Sequence, residues 1–367
     1  MTGVQTCALP IYRLRREKNF VGSEAGSALI DAVADAGPGW EQQWDEREAI
    51  EDDRLRLVFT CCHLSLSEEA RIALSLREVC GLTTEAIASA FLIATPTLAQ
   101  RIVRAKAKIA AARIPYEVPG PAERPARLAS VLRVVYLVYN EGHAAHAAGL
   151  ADEAIRLARL LHSLLPGSEH AAEHAPAPAP EPEPEVKGLL ALMLLHDARR
   201  AARTAPNGDF VPLESQDRSL WNRSAIAEGC ALVEAALSQR GFGGYTLQAA
   251  IAAVHAEAPT ATATDWPQIV GLYDALWRLE PSPVIALNRA VAVGMRDGPE
   301  AGLELIEPLL ALPEFAAYHP APAAAADLCR RAGRYLDAAA HYQAAAALAK
   351  QEPERRFLLS RLAEVVG

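Results

Sequence analysis

What this 367-residue chain lacks narrows its class before any motif is read. Runs of β-branched residues are scarce and Gly-Asn-type hairpin signals are absent, which argues against a sheet-based fold. No apolar run approaches the roughly 18 residues needed to cross a bilayer. No charged start, apolar middle and small-residue cleavage site mark a secretory leader, so a cytoplasmic, membrane-free protein is expected. Aromatic residues make up only 6%. The six cysteines (Cys7, Cys61, Cys62, Cys80, Cys230 and Cys329) contain no C-x-x-C pair, and their scatter fits reduced, mostly buried thiols. Cys61-Cys62-His63 could begin a metal site, but neighbours on a helix point about 100° apart and no second ligand pair follows at suitable spacing. No nucleophile-base-acid pattern, phosphate-cradling glycine loop or H-E-x-x-H motif is present. The chain is therefore expected to be no enzyme, with no catalytic residue, cofactor or metal.

What remains is an alanine- and leucine-rich, 51% hydrophobic chain of all-α class. Its net charge is −9, yet from Thr95 to Arg113 there are five cations (Arg101, Arg104, Lys106, Lys108 and Arg113) and no acid. The rest of the chain thus carries −14. One basic patch on an acidic body suits a protein that binds nucleic acid locally and repels it elsewhere.

The patch lies in Gly81 to Ile109, GLTTEAIASAFLIATPTLAQRIVRAKAKI. Gly81 ends a preceding helix, Thr83 or Thr84 caps a short one in which Ile87, Ala88 and Phe91 face inward, and Leu92-Ile93-Ala94 turns the chain. Thr95 is expected to cap the next helix, with Pro96 at its first position. Leu98, Ile102, Ala105 and Ile109 form one apolar stripe, leaving Thr97, Gln100, Arg101, Arg104 and Lys108 on the other side. Two short helices around a tight turn, the second with a basic face, describe a helix-turn-helix. Thr95, Thr97, Gln100, Arg101, Arg104, Lys106 and Lys108 are the candidate DNA-binding residues. Gln100 suits adenine, Arg101 or Arg104 suits guanine, and Lys106 and Lys108 suit phosphates.

Upstream, 48–63 reads as a helix burying Leu55, Val58, Phe59 and Cys62, and 68–79 as a second one burying Ile72, Leu76 and Val79 behind a Ser65–Glu69 cap. The segments DDRLRLVFTCCH, SLSEEARIALSLREVCGLTTEAIASAF and TLAQRIVRAKAKI resemble region 4 of extracytoplasmic-function RNA polymerase sigma factors. The likeness continues through YLVYNEGH, GLLALMLLHDARRAAR, LNRAVAV and EPERRFLLSRLAE, and is to the subgroup with a tetratricopeptide-like C-terminal extension. The resemblance implies a −35 promoter element and the β flap of the polymerase core as partners. It also implies a preceding region 2, of which RLRREKNF (13–20) resembles only the end, so that the chain reads as N-terminally truncated. Residues 1–12, MTGVQTCALPIY, resemble a translated sequencing-adapter read and are taken as an assembly artefact; Leu64 stands where the family tends to have proline.

The expected organisation is a linker at 21–47, the region 4-like domain at 48–113, a proline-stiffened connector at 114–122, and a helical tetratricopeptide-like domain at 123–367 with a Pro-rich insertion at 166–185. Asn140-Glu141-Gly142-His143 with His146 clusters acid/base groups, but Gly142 is expected to end a helix there and the polar groups to bond nearby backbone. Tyr273 and Tyr342 lie 69 residues apart, near twice the 34-residue tetratricopeptide period. Such a stack offers a concave face to a peptide or protein partner. Two other readings stay open: a one-component helix-turn-helix regulator that needs no polymerase, and a helical scaffold that does not bind DNA.

Overall fold

The computed structural model describes residues 46–91, 93–120, 122–144, 148–164, 184–239 and 241–367. The expectations for 1–45, for Leu92, for His146 and for most of the Pro-rich stretch lie outside those residues. The described chain is all-α, with a helix-turn-helix followed by a larger helical part; its β pairing is limited to one isolated bridge between Thr204 and Phe210. Its described residues divide into two compact units, one within 46–164 and the other within 184–367.

The first unit contains α1 (Glu46–Cys61), α2 (Glu68–Leu74), α3 (Thr84–Ala90), α4 (Thr95–Ala111), α5 (Arg124–Ala144) and α6 (Ala148–Leu164). Leu55, Val58, Phe59 and Cys62 are buried, as the spacing demands. Ser67 caps α2 by accepting from the Ala70 N–H. The helix expected to run evenly from 68 to 79 instead widens into a π turn over Ser75–Val79, where the Cys80 N–H reaches back to the Ser75 carbonyl at 3.0 Å. The extra residue per turn rotates the inward face. Ala73, Leu74 and Leu76 become fully buried, while the expected Ile72 and Val79 are only half-buried.

The connector at 114–122 joins two parts of this same unit, because α5 packs on α1 and α2. Arg127, only 6% exposed, donates from Nη2 to the Phe59 carbonyl at 2.7 Å. Ser130 Oγ donates to the Cys62 carbonyl at 2.8 Å, Arg71 bonds Ser130, and Arg133 pairs with Glu68. Carbonyls left without partners at the end of α1 thus receive donors from a helix some seventy residues further on. Gly142 does not end α5, which runs on to Ala144. Its role is close approach: a Cβ there would meet the Ala151 nitrogen at 2.5 Å and Leu150 Cβ at 2.8 Å on α6. His143 is buried, stacked on Tyr139 at 5.2 Å, with its Nδ1 3.3 Å from the tyrosine hydroxyl.

The second unit holds α7 (Pro184–Asp197), α8 (Arg223–Leu237), α9 (Gly244–Glu257), α10 (Trp266–Leu279), α11 (Pro283–Asp297), α12 (Pro299–Leu310), α13 (Pro320–Arg331), α14 (Tyr335–Leu348) and α15 (Glu352–Val366). Each packs on its successor. Helix α7 stops at Asp197, and a short 3-10 turn over Arg200–Ala202 follows. The N-terminus of α9 is capped from α7: the Glu185 carboxylate accepts from the N–H groups of Gly243, Tyr245 and Thr246 at 2.9 to 3.0 Å and from the Thr246 hydroxyl at 2.8 Å.

From α10 onward the helices come in pairs whose first members start at 266, 299 and 335, that is 33 and 36 residues apart. Tyr273 and Tyr342 each occupy the eighth position of their helix, α10 and α14. Gly298 (φ 108°) and Gly333 (φ 76°), 35 residues apart, open the second and third pairs. Where the first pair meets the second, Gly302 of α12 lies so close to Gly294 of α11 that a Cβ would meet its Cα at 2.8 Å, and Leu328 of α13 fills the remaining gap.

Candidate nucleic-acid interface

The local sequence positions α4 through its neighbours. Gly81 takes φ 71°, a left-handed conformation that costs glycine little, and so turns the chain out of the π segment. Arg77 fastens the turn by donating to the Leu82 carbonyl at 3.0 Å. Thr83 caps α3, accepting from the Ala86 N–H at 3.1 Å. Ile87 and Ala88 are buried as expected, whereas Phe91 is only half-buried.

Thr95 does not cap α4. The cap position falls on Ala94, whose extended backbone (φ −66°, ψ 134°) offers its carbonyl to the Leu98 N–H at 3.1 Å without any side-chain cap. Thr95 is the first helical residue and Pro96 the second, where a missing N–H leaves no bond unmade. The helix therefore begins one residue earlier than the cap rule alone suggested.

Along α4, Leu98, Ile102 and Ala105 are buried and Ile109 is half-buried, which fixes the inward direction. Thr97, Gln100, Arg104 and Lys108 are exposed, and Arg101 is half-buried at the edge of the same face. At about 100° per residue these five side chains share one side of the helix. Lys106 does not join them: it stands about 160° around the helix from both Arg104 and Lys108 and pairs with Glu78 at 3.1 Å. Thr95 lies on the Lys106 flank. The structure thus brings together five of the seven candidates.

Two exposed residues of α4 and its end escape a reading based on charge and stripe alone. Val103 is 39% exposed and lies outside the apolar stripe. Arg113 takes φ 49°, the only positive φ at a non-glycine among the described residues. It closes α4 where the Ile114 N–H reaches the Ile109 carbonyl at 3.0 Å, a C-terminal motif that usually carries glycine.

The cysteines near this helix are inert by environment. Burial pushes the Cys62 thiol up to about 11 and the Cys80 thiol to about 12, and raises Cys61 as well. Among the described residues no group of three or more His, Cys, Asp or Glu is placed to hold a metal ion, and no helix is long and apolar enough to cross a membrane.

Residues 56–109, from α1 through α4, match the family described as Sigma-70, region 4. Residues 127–237, from α5 in the first unit to α8 in the second, match a family of unknown function (DUF6596). An uncharacterized protein of Rhizobium meliloti (strain 1021) is 45% identical over 318 residues, covering 85% of this chain and 71% of the relative. No solved structure matches.

Proposed function

Because the chain belongs to the same family as the uncharacterized Rhizobium meliloti protein and carries a sigma-factor-like region 4, we propose that it is a promoter-specific sigma factor of the extracytoplasmic-function type. The carrying observation is the exposed side of α4, where Thr97, Gln100, Arg101, Arg104 and Lys108 converge inside the region 4 match. In a helix-turn-helix the second helix enters the major groove with its N-terminal residues at base edges. Gln100 and Arg104, on that exposed side, then read adenine and guanine of a −35 element, and Lys108 neutralises phosphate. Lys106 and Thr95, on the other flank, serve at most the groove wall. The polymerase core, through its β flap, is the protein partner of this reading.

The C-terminal unit is assigned a regulatory role as a tetratricopeptide-like stack that takes a peptide or protein partner. Helix pairs starting 33 and 36 residues apart, with Tyr273 and Tyr342 in register, support that assignment. Nothing in the site favours catalysis, and the protein acts in the cytoplasm by this account.

The experiment is a selection of duplexes from a random pool by the full-length chain, paired with capture of core RNA polymerase by the tagged chain. Enrichment of one sequence class together with polymerase capture is expected. Enrichment without capture makes the protein a one-component regulator, and failure of both leaves a helical scaffold.

A further inference from the structure

The outward side of α4 is not uniformly basic. The buried residues Leu98, Ile102 and Ala105 define its inward direction. Directly opposite them run Gln100 and Ala107, both exposed. Val103 and Arg104 flank that line on either side, each about 50° from it at 100° per residue. An aliphatic side chain, 39% exposed, therefore stands as close to the middle of the outward face as the arginine proposed to read guanine. Pro96 and Ala99 continue the same apolar edge toward the helix start, and both are exposed.

Helix formation does not ask for valine here. Alanine fills the exposed positions 99, 107, 110 and 111 of the same helix, and valine forms helix less readily than alanine. Nor does the core ask for it, since Val103 falls outside the buried stripe. What valine supplies is two methyl groups in a nearly fixed rotamer, because a β-branched side chain on a helix is stiff about its first torsion. Presented to a major groove, such a group meets one complementary apolar feature, the C5-methyl of thymine.

We propose that Val103 is a specificity residue that contacts the C5-methyl group of a thymine, beside the base pairs read by Gln100 and Arg104. The inference rests on α4 being the promoter-reading helix. The recognised site then contains a thymine whose methyl group contributes to affinity, and polar contacts from the Arg104 side do not substitute for it.

The test uses the full-length chain and the duplex enriched from the random pool, with each thymine replaced singly by deoxyuridine. That change removes one methyl group and leaves base pairing intact. At one or two positions the wild-type chain is expected to bind about fourfold more weakly, the value of one buried methyl-sized group. Val103→Ala should abolish the distinction between thymine and deoxyuridine at those positions, and Val103→Ile should keep it. Arg104→Ala should weaken binding overall while leaving the deoxyuridine penalty in place, which separates a methyl contact from a misplaced helix. The proposal is overturned if no deoxyuridine substitution weakens the wild-type complex, or if Val103→Ala retains the same penalty. A wild-type chain that enriches no duplex at all overturns the DNA-reading function itself, and the inference with it.

Discussion

The guanidinium of Arg127 holds the carbonyl oxygen of Phe59 at 2.7 Å across the interface between α5 and α1. Phe59 belongs to the stretch matching sigma-70 region 4 and Arg127 is the first residue of the match to the family of unknown function. The two families are therefore joined by a buried hydrogen bond inside one compact unit, and α5 forms part of the scaffold that presents α4.

Arg127→Ala should destabilise that unit by about 2 kcal/mol, since it removes a charge-assisted bond and leaves a buried carbonyl unsatisfied. Arg54→Ala, on the exposed side of α1, should stay within about 0.5 kcal/mol. Urea unfolding of the two full-length variants compares them directly. Equal midpoints would show that α5 is not part of the scaffold.

The two lysines of α4 should separate in a DNA titration. Lys108 shares the face of Gln100 and Arg104, so Lys108→Ala is expected to lower the slope of log K against log salt by about one. Lys106 is turned toward Glu78 at 3.1 Å, and Lys106→Ala should leave the slope nearly unchanged.

Arg113 offers a gain of stability. Its φ of 49° is a left-handed conformation that costs an L-residue with a side chain roughly 1 kcal/mol, whereas glycine adopts it freely. Arg113→Gly should therefore raise the unfolding free energy by about 1 kcal/mol, read as a higher urea midpoint. A lower midpoint would mean that the arginine side chain contributes packing at the end of α4.

The second unit should weaken in acid. His255 is buried on α9 with its ring edge-on to Trp266 at 5.4 Å, and burial together with the charges of Arg199 and Arg218 lowers its pKa from 6.5 to about 3. His196 is lowered well below 6.5 by the same causes, burial first and then Arg199. As the pH falls below 6.5 the unfolded chain takes up protons that the folded one refuses, so stability present above 6.5 is lost progressively toward pH 3. Urea midpoints followed by tryptophan fluorescence should fall between pH 7.5 and pH 5, and His255→Gln should flatten that dependence.

The helix-turn-helix was legible because its signals are local. Gly81, the Thr83 cap, Pro96 and the Leu98–Ile102–Ala105 stripe each act within a turn or two of themselves. The 69-residue spacing of Tyr273 and Tyr342 corresponds in the structure to a shared eighth position in α10 and α14, with Tyr342 buried and Tyr273 half-buried. Illegible features depend on partners distant in sequence. Gly142 looked like a helix end because only α6, folded back on it, reveals that a Cβ would strike Ala151. Arg127 carried no signal, since its partner Phe59 lies 68 residues away. The π turn at Ser75 hid because one inserted residue preserves an apolar pattern while rotating it. Lys106 looked like its basic neighbours until Glu78 was placed beside it.

The salt dependence of binding to the selected duplex tests the central claim most directly. With Arg101 and Lys108 beside the base-reading Arg104, and Arg113 beyond them, log K should fall linearly with log salt with a slope of roughly −3, at about 0.9 per phosphate neutralised. Arg104→Ala should weaken binding by roughly tenfold to a hundredfold. A slope near zero, with Arg104→Ala binding as well as the wild-type chain, would contradict the account.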